Sequence, residues 1–180
     1  MGTFTSILNL FKPATSDFID VVADLNDNTD KLETLFGPLL TSWQTFTPTW
    51  TSDGSAPSIG NGSMAGRYKQ IGKTVFFNMS VTFGSTTSFG SGAYFWSGPV
   101  PAKIGAGPAA TNPFVLTGVM TDAAVANYAF VGGYFNTATQ YNIQCISSIT
   151  NRQSFAIGST QPFTWGNGDQ IMTAGVYEAA

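Results

Sequence analysis

The apolar positions of this chain follow two different periods. Over residues 16–36 they recur at alternating intervals of four and three residues, the heptad spacing of a helix that packs along one side. From residue 43 onward, short runs place an apolar residue at every second position, as in a β-strand with one buried face. The pattern predicts a short N-terminal helix followed by a β-rich body. The predicted seam of the helix comprises Phe18, Val22, Leu25, Thr29, Leu32 and Phe36.

The predicted helix has capping residues at both ends. Thr15 or Ser16 can accept hydrogen bonds from the first free amides, and Gly37-Pro38 is a stop sequence. Residues 3–12 fit a strand, a turn of helix or a docking peptide. Because an isolated helix of this length is marginal in water, the seam requires a partner. That partner is either a set of identical helices around an axis or the chain's own body.

The body contains nine predicted strands. Its clearest alternation runs over residues 75–83, where Val75, Phe77 and Phe83 belong to one face. Glycine-rich turns separate the runs, so the pattern predicts an antiparallel β-sandwich or jelly roll of about eight or nine strands. Residues 98–113 contain four prolines and are predicted to form a surface loop. The predicted strands span residues 45–51, 66–71, 75–83, 93–97, 114–120, 129–135, 141–149, 154–157 and 170–178.

Some predicted strands carry apolar residues on both faces. In residues 170–178, Ile171 and Tyr177 alternate with Met172, Ala174 and Val176, and residues 140–149 show a weaker form of this pattern. A sandwich requires one apolar face per sheet, so a second apolar face predicts contact with a neighbouring subunit. A closed ring, most simply a homotrimer with the helices on its axis, would cover both the seam and these faces.

The chemistry of the side chains excludes several classes of enzyme. The 180 residues include no histidine and one cysteine, which rules out histidine-based triads, Cys/His zinc sites and an intramolecular disulfide. We therefore predict a non-enzymatic protein without catalytic residues, cofactor or metal; a histidine-free glycan hydrolase is a less favoured alternative, because a glycosidase needs paired carboxylates. The carboxylates of the body are Asp53, Asp122, Asp169 and Glu178.

Charge is scarce and unevenly distributed. Only 9% of residues are charged, compared with about 25% in typical soluble domains. Residues 1–40 carry two basic and six acidic side chains, whereas residues 41–180 carry five basic and four acidic ones. We therefore predict an attachment and oligomerisation segment at 1–40 and a sandwich knob at 41–180. The net charge of −3 argues against nucleic acid as a partner, and no apolar run is long enough for a membrane span.

Aromatic residues raise the question of sugar binding, because aromatic faces stack on pyranose rings. Trp96 and Tyr94 are the candidate glycan contacts, whereas Trp50 and Trp165 beside turns are predicted core residues. A carbohydrate-binding module that is not part of a larger particle is the alternative function.

Several short sequences together resemble a known group. They are TFTPTWT at 45–51, NGS at 61–63, GRY at 66–68, IGK at 71–73, STTSFG at 85–90, PFTWGNGD at 162–169 and GVY at 175–177. With these sequences the chain is similar to a β-domain of virion surface proteins from tailed phages that infect actinobacteria, usually described as minor tail or fibre-like proteins. The leader at 11–14, followed by residues 17–32, resembles the N-terminal attachment helix of that group.

This resemblance implies a location on the virion surface, at the tail or the capsid exterior. It implies a spike, fibre knob or decoration in which residues 1–40 bind other virion proteins. The loops at 84–92 and 98–113 would then point outward. Repeated weak contacts with a host cell-surface glycan could suffice for attachment through avidity.

Overall fold

The computed structural model describes residues 3–5, 8–14, 17–18, 20–103, 115–129, 132–146 and 154–180. The chain divides into two compact units, Met1–Ser42 and Trp43–Ala180. The division falls close to the predicted boundary at residue 40.

The N-terminal unit consists of a small hairpin and a helix. Strands β1 (Thr3–Phe4) and β2 (Phe11–Lys12) pair antiparallel. One π-helical turn, Val21–Leu25, leads into helix α1, Asn26–Leu40. Asp20 caps the start, because its Oδ1 accepts hydrogen bonds from the backbone N–H groups of the second and third helical residues at 3.0 and 3.1 Å.

The predicted helix limits of 16–36 were wrong at both ends. The helix begins at residue 21, so Asp20 provides the cap, and the proposed caps Thr15 and Ser16 lie outside the described residues. It continues through Gly37-Pro38 to residue 40. Pro38 cannot donate to the carbonyl four residues before it, but it lies in the last turn, so only two helical residues follow the missing bond. Thr41 closes the helix by donating its N–H to the Gly37 carbonyl at 3.2 Å.

The larger sheet of the body has six strands in the order β3-β5-β6-β13-β8-β9. Every pairing in it is antiparallel. The strands are β3 (Gln44–Phe46), β5 (Ser63–Ile71), β6 (Thr74–Thr82), β8 (Val115–Asp122), β9 (Ala126–Ala129) and β13 (Gln170–Glu178).

The smaller sheet has five strands in the order β10-β11-β7-β4, with β12 also paired to β11. Its pairings are antiparallel as well. The two sheets form a mainly β, sandwich-like body, which confirms the predicted fold class. The strands are β4 (Trp50–Ser52), β7 (Tyr94–Ser97), β10 (Gly132–Phe135), β11 (Gln140–Ile146) and β12 (Ser154–Ala156).

Two predicted strands are each split between the sheets, so the described body has eleven strands and not nine. Residues 45–51 form β3 in the larger sheet and β4 in the smaller one, separated by Thr47–Thr49. Pro48 at the centre of this crossing has no N–H for a ladder. Residues 129–135 likewise divide into the end of β9 and β10.

The core lies between the sheets and is rich in aromatic residues. The alternation predicted for residues 75–83 is confirmed, since Val75, Phe77 and Phe83 are each at most 2% exposed. The Phe77 ring lies 5.5 Å from that of Tyr141 on β11. Fully burying a side chain of this size stabilises the fold by about 1.5–3 kcal/mol. The body therefore has a core of its own.

The edge strand β3 packs onto the sheet through Phe46. The ring of Phe46 covers Gly66, its partner on β5. A Cβ at position 66 would lie 2.2 Å from a ring carbon of Phe46. A larger residue here would displace the ring.

The predicted loop at 98–113 is only partly open. Ala102 is buried, pairs with Ala179, and donates its N–H to the Ala138 carbonyl at 2.7 Å. Residues 98–103 therefore pack beside the C-terminal strand. Residues 104–113 lie outside the described residues.

Candidate self-association surfaces

The hairpin of the N-terminal unit is attached to one side of the helix. Asn28 accepts a hydrogen bond from the Phe11 N–H at 2.7 Å and donates to the Phe11 carbonyl at 3.0 Å. Lys31 donates to the Asn9 carbonyl at 2.9 Å, and its ammonium lies 5.5 Å from the centre of the Phe4 ring. These polar contacts use positions 28 and 31, which are not part of the predicted seam.

Most of the predicted seam is left exposed. Val22 is 71% exposed, Leu25 57% and Phe36 49%. Leu32 is half-buried, and it lies beside Asn28 on the helix because it follows that residue by four positions. Thr29 is exposed and donates its hydroxyl to the Leu25 carbonyl at 2.8 Å. Four of these five residues therefore present a helix face that the hairpin does not cover.

Phe18 does not belong to this face. It precedes the helix, and its side chain is fully exposed. The π-helical turn also shifts Val22 relative to the α-helical positions that follow, because a π turn holds more residues than an α turn. The heptad seam is therefore regular only from Leu25 onward.

Leu39 extends the seam and was missed from the sequence. It follows Phe36 by three residues, lies within α1 and is 43% exposed. The same alternating spacing already continued past Gly37-Pro38 in the sequence. Leu39 was missed because the predicted helix ended before that dipeptide.

A second exposed apolar surface lies on the outer face of the larger sheet. Met172 and Val176 on β13 are 42% and 39% exposed, and Phe76 on β6 is 37% exposed. Val176 lies directly opposite Phe76 in the ladder. The predicted second face of residues 170–178 is therefore exposed on the body.

The corresponding prediction for residues 140–149 fails at Asn142, and the side chain of Ile146, the apolar member of that face, lies outside the described residues. Tyr141 and Ile143 are buried in the core, but Asn142 on the other face is also buried, at 4% exposed. Its Oδ1 accepts a hydrogen bond from the Gln144 side chain at 3.3 Å. The second face of β11 is thus covered at Asn142 within the chain, and residues 147–149 lie outside the described residues.

The proposed glycan contacts were wrong as well. Trp96 and Tyr94 have no exposed surface, because both side chains of β7 point into the core. The Tyr94 hydroxyl donates to the Phe89 carbonyl at 2.7 Å, and burial raises its pKa above the usual range. Neither ring can stack on a sugar from solvent.

The four carboxylates of the body all take part in local structure. Asp53 accepts a hydrogen bond from the Ala93 N–H at 2.7 Å, and Asp122 accepts one from the Ala124 N–H at 2.9 Å. Glu178 forms an ion pair with Lys103 at 2.8 Å.

Asp169 is buried and joins two turns, since its oxygens accept the N–H groups of Gly166 at 2.6 Å and Ala123 at 2.9 Å. Among the described residues, no group of three or more Asp, Glu, Cys or His side chains is placed to hold a metal.

Cys145 is a core residue. It is 3% exposed, and its Sγ lies 3.9 Å from the Met120 sulfur. Burial raises the pKa of its thiol to about 12. At neutral pH the thiolate needed for nucleophilic chemistry is therefore scarce.

Comparison with known proteins finds no family model, no curated protein and no solved structure that matches this chain significantly. In the described ranges, none of the helices combines the length and apolarity required to cross a lipid bilayer.

Proposed function

We propose that this protein is a non-enzymatic structural component of a phage virion, displayed on the tail or the capsid exterior as an oligomeric spike, fibre knob or decoration. The N-terminal unit holds copies together and attaches them to other virion proteins. The sandwich is the displayed domain. The observation that carries this proposal is the exposed helix seam, from Leu25 to Leu39, on a unit without a large core.

The energetics of the seam favour association. Fully burying a leucine or phenylalanine side chain is worth about 1.5–3 kcal/mol. Leu25, Phe36 and Leu39 each expose between 43% and 57% of their surface in the single chain. Part of this energy is gained only when another helix covers them, so the helix and the oligomer form together.

Two copy numbers have support, a trimer and a dimer. The resemblance to fibre-like proteins supports a trimer. In the regular part of the heptad, leucines at 25, 32 and 39 occupy d positions, and Thr29 and Phe36 occupy a positions. In parallel coiled coils β-branched residues at a with leucine at d favour two strands, and Thr29 fits that pattern. The mass of the assembly distinguishes these two outcomes.

The chemistry of the body supports a structural role. Its carboxylates hold turns and strand ends, its cysteine is buried, and the chain has no histidine. The carbohydrate-binding alternative was based on Trp96 and Tyr94, and both side chains are buried. Any contact with host glycans must use other residues.

Light scattering after gel filtration tests self-association on the full chain. We expect the wild-type mass to be a multiple of 19.0 kDa. Leu25→Lys should lower it at micromolar concentration, because a charge on the seam opposes burial. Thr34→Lys is the matched control, since it places the same charge on an exposed position outside the seam. A wild-type mass of 19.0 kDa at every concentration would overturn the oligomer.

A separate experiment tests the virion assignment. Purified phage particles from the strain that encodes this chain should contain it in several copies, as measured by quantitative mass spectrometry. Its absence from particles that are otherwise complete would overturn the assignment and leave the self-association result intact.

A further inference from the structure

We propose that the outer face of the six-stranded sheet packs face to face against the same face of a second copy of this chain. This inference rests on the self-association proposed above, and it assigns a second contact surface located entirely on the body. The contact can join two chains directly or link two helix-bound assemblies.

The ladder registers define this outer face. Successive rows run across the strands at right angles, and each row contains the outward residues that lie opposite one another. The first row places two apolar side chains beside one basic side chain. Apart from Arg67, the three rows that follow consist of small or uncharged residues, and Met172 and Val119 are their larger apolar members. The rows across β5, β6, β13 and β8 are Lys69-Phe76-Val176, then Arg67-Asn78-Ala174-Thr117, then Ala65-Ser80-Met172-Val119, then Ser63-Thr82-Gln170-Thr121.

The face carries two shallow troughs. A trough of about 510 Å³ crosses β13 at Ala174, and a second of about 590 Å³ crosses β5 at Ala65. Asn78 and Ser80 line both, so the troughs lie next to each other on the sheet. The Phe76 and Val176 pair rises beside them. A ridge and a trough on one face allow a second copy to interdigitate, as the inner faces of packed sheets do.

The size of the face fits a contact at the small end of the range. Four long central strands with a spacing of about 4.8 Å and a rise of about 3.3 Å per residue cover roughly 600 Å² in projection. Side-chain relief and the short edge strands add to this area. A standard interface buries about 800 Å² per partner and transient ones bury less, so we expect a weak association through this face.

The charges of the face permit this pairing. Among the described residues, its charged side chains are Arg67 and Lys69 on β5 and Glu178 at the end of β13, where Lys103 pairs with it. The centre of the strand order lies between β6 and β13. A twofold axis there, parallel to the strands, places β5 of each copy over β8 of the other. The basic side chains of one copy then lie over β8 of the other and not over each other. The two Glu178 side chains lie near the axis, and each keeps Lys103 of its own chain as an ion-pair partner.

Sedimentation equilibrium on the full chain tests the face separately from the seam. In the Leu25→Lys background, which removes the helix contact, we expect residual association with a mass above 19.0 kDa at high concentration. Adding Ala174→Arg should raise the dissociation constant of that association at least about tenfold, because it fills the trough with a charge. Val176→Lys should act in the same direction.

The matched control is Ala124→Arg, the same substitution at an exposed turn outside the face. It should leave the dissociation constant unchanged. Position 174 is exposed, so at concentrations below the dissociation constant the urea midpoint of the body should stay the same in Ala174→Arg.

The outcomes separate the two proposals. A Leu25→Lys variant that is monomeric at every concentration would overturn the proposed contact between sheet faces and would not affect the proposed contact between helices. Association that persists unchanged in Ala174→Arg and Val176→Lys would also overturn it. A third outcome is that the chain binds a neutral oligosaccharide, and that Ala174→Arg abolishes this binding without changing the mass of the protein in solution. That result would show that the trough binds a sugar and would overturn a second copy as its occupant.

Discussion

The two units of this protein place their apolar residues in opposite locations. No side chain of helix α1 is buried, and Leu25 and Phe36 are about half exposed. In the body, Val75 and Phe77 are at most 2% exposed, and Trp96 is completely buried. Apolar content therefore stabilises a unit only where the fold brings a second apolar surface against it. The body is expected to be stable as a single copy, whereas the helix depends on association.

The largest effect should come from the core of the body. Trp96→Ala removes a fully buried indole, which should lower the free energy of unfolding by about 3–5 kcal/mol. Urea denaturation followed by circular dichroism measures the loss. Phe76→Ala removes a ring that is 37% exposed on the outer face of the same sandwich, so it should cost about 1–2 kcal/mol. Equal losses would contradict the contrast between core and outer face.

A smaller effect is expected at the buried carboxylate of the body. Asp169→Ala leaves the N–H groups of Gly166 and Ala123 without their acceptor, so it should cost about 1–3 kcal/mol. Asp122→Ala is the control, since that less buried carboxylate accepts a bond from the nearby Ala124 N–H. Loss of stability in the control equal to that of Asp169→Ala would show that burial is not the cause.

The helix cap offers a test confined to the N-terminal unit. Asp20→Ala removes the acceptor for two helical N–H groups and should destabilise the helix by about 1 kcal/mol. We expect lower helicity at dilute concentration and an unchanged urea midpoint for the body. Asp27→Ala, which changes the same charge without a cap, is the control. An equal loss of helicity in Asp27→Ala would exclude the cap as the cause.

The smallest effect should come from the exposed ion pair. Lys103 holds the pKa of the Glu178 carboxyl below its usual value, so the folded state favours the carboxylate. This stabilisation is present above the unfolded pKa and is lost as pH falls through the folded pKa. Lys103→Gln should lower the urea midpoint slightly near neutral pH and not in acid, and salt should shrink the difference. A difference that persists in acid would exclude the carboxylate as its cause.

Local pattern was sufficient where one element lies in one sheet. The alternation at 75–83 and at 170–178 predicted β6 and β13 almost to the residue, because period two is a property of the strand itself. Residues 45–51 and 129–135 were predicted as single strands, yet each crosses from one sheet to the other. Where a chain crosses between sheets depends on the strands with which it pairs. Those strands are distant in the chain, so the local spacing of apolar residues carries no information about them.

The sequence by itself determined that Tyr94 and Trp96 share one face of a strand, that Leu25, Leu32 and Phe36 share one side of a helix, and that no histidine chemistry is available. Only the tertiary structure decided which face is covered. In the smaller sheet, the side chains of Tyr94 and Trp96 point into the core. The hairpin instead packs beside the helix seam and leaves most of the seam exposed. Periodicity specifies which residues point the same way, but burial depends on what the rest of the chain places against them.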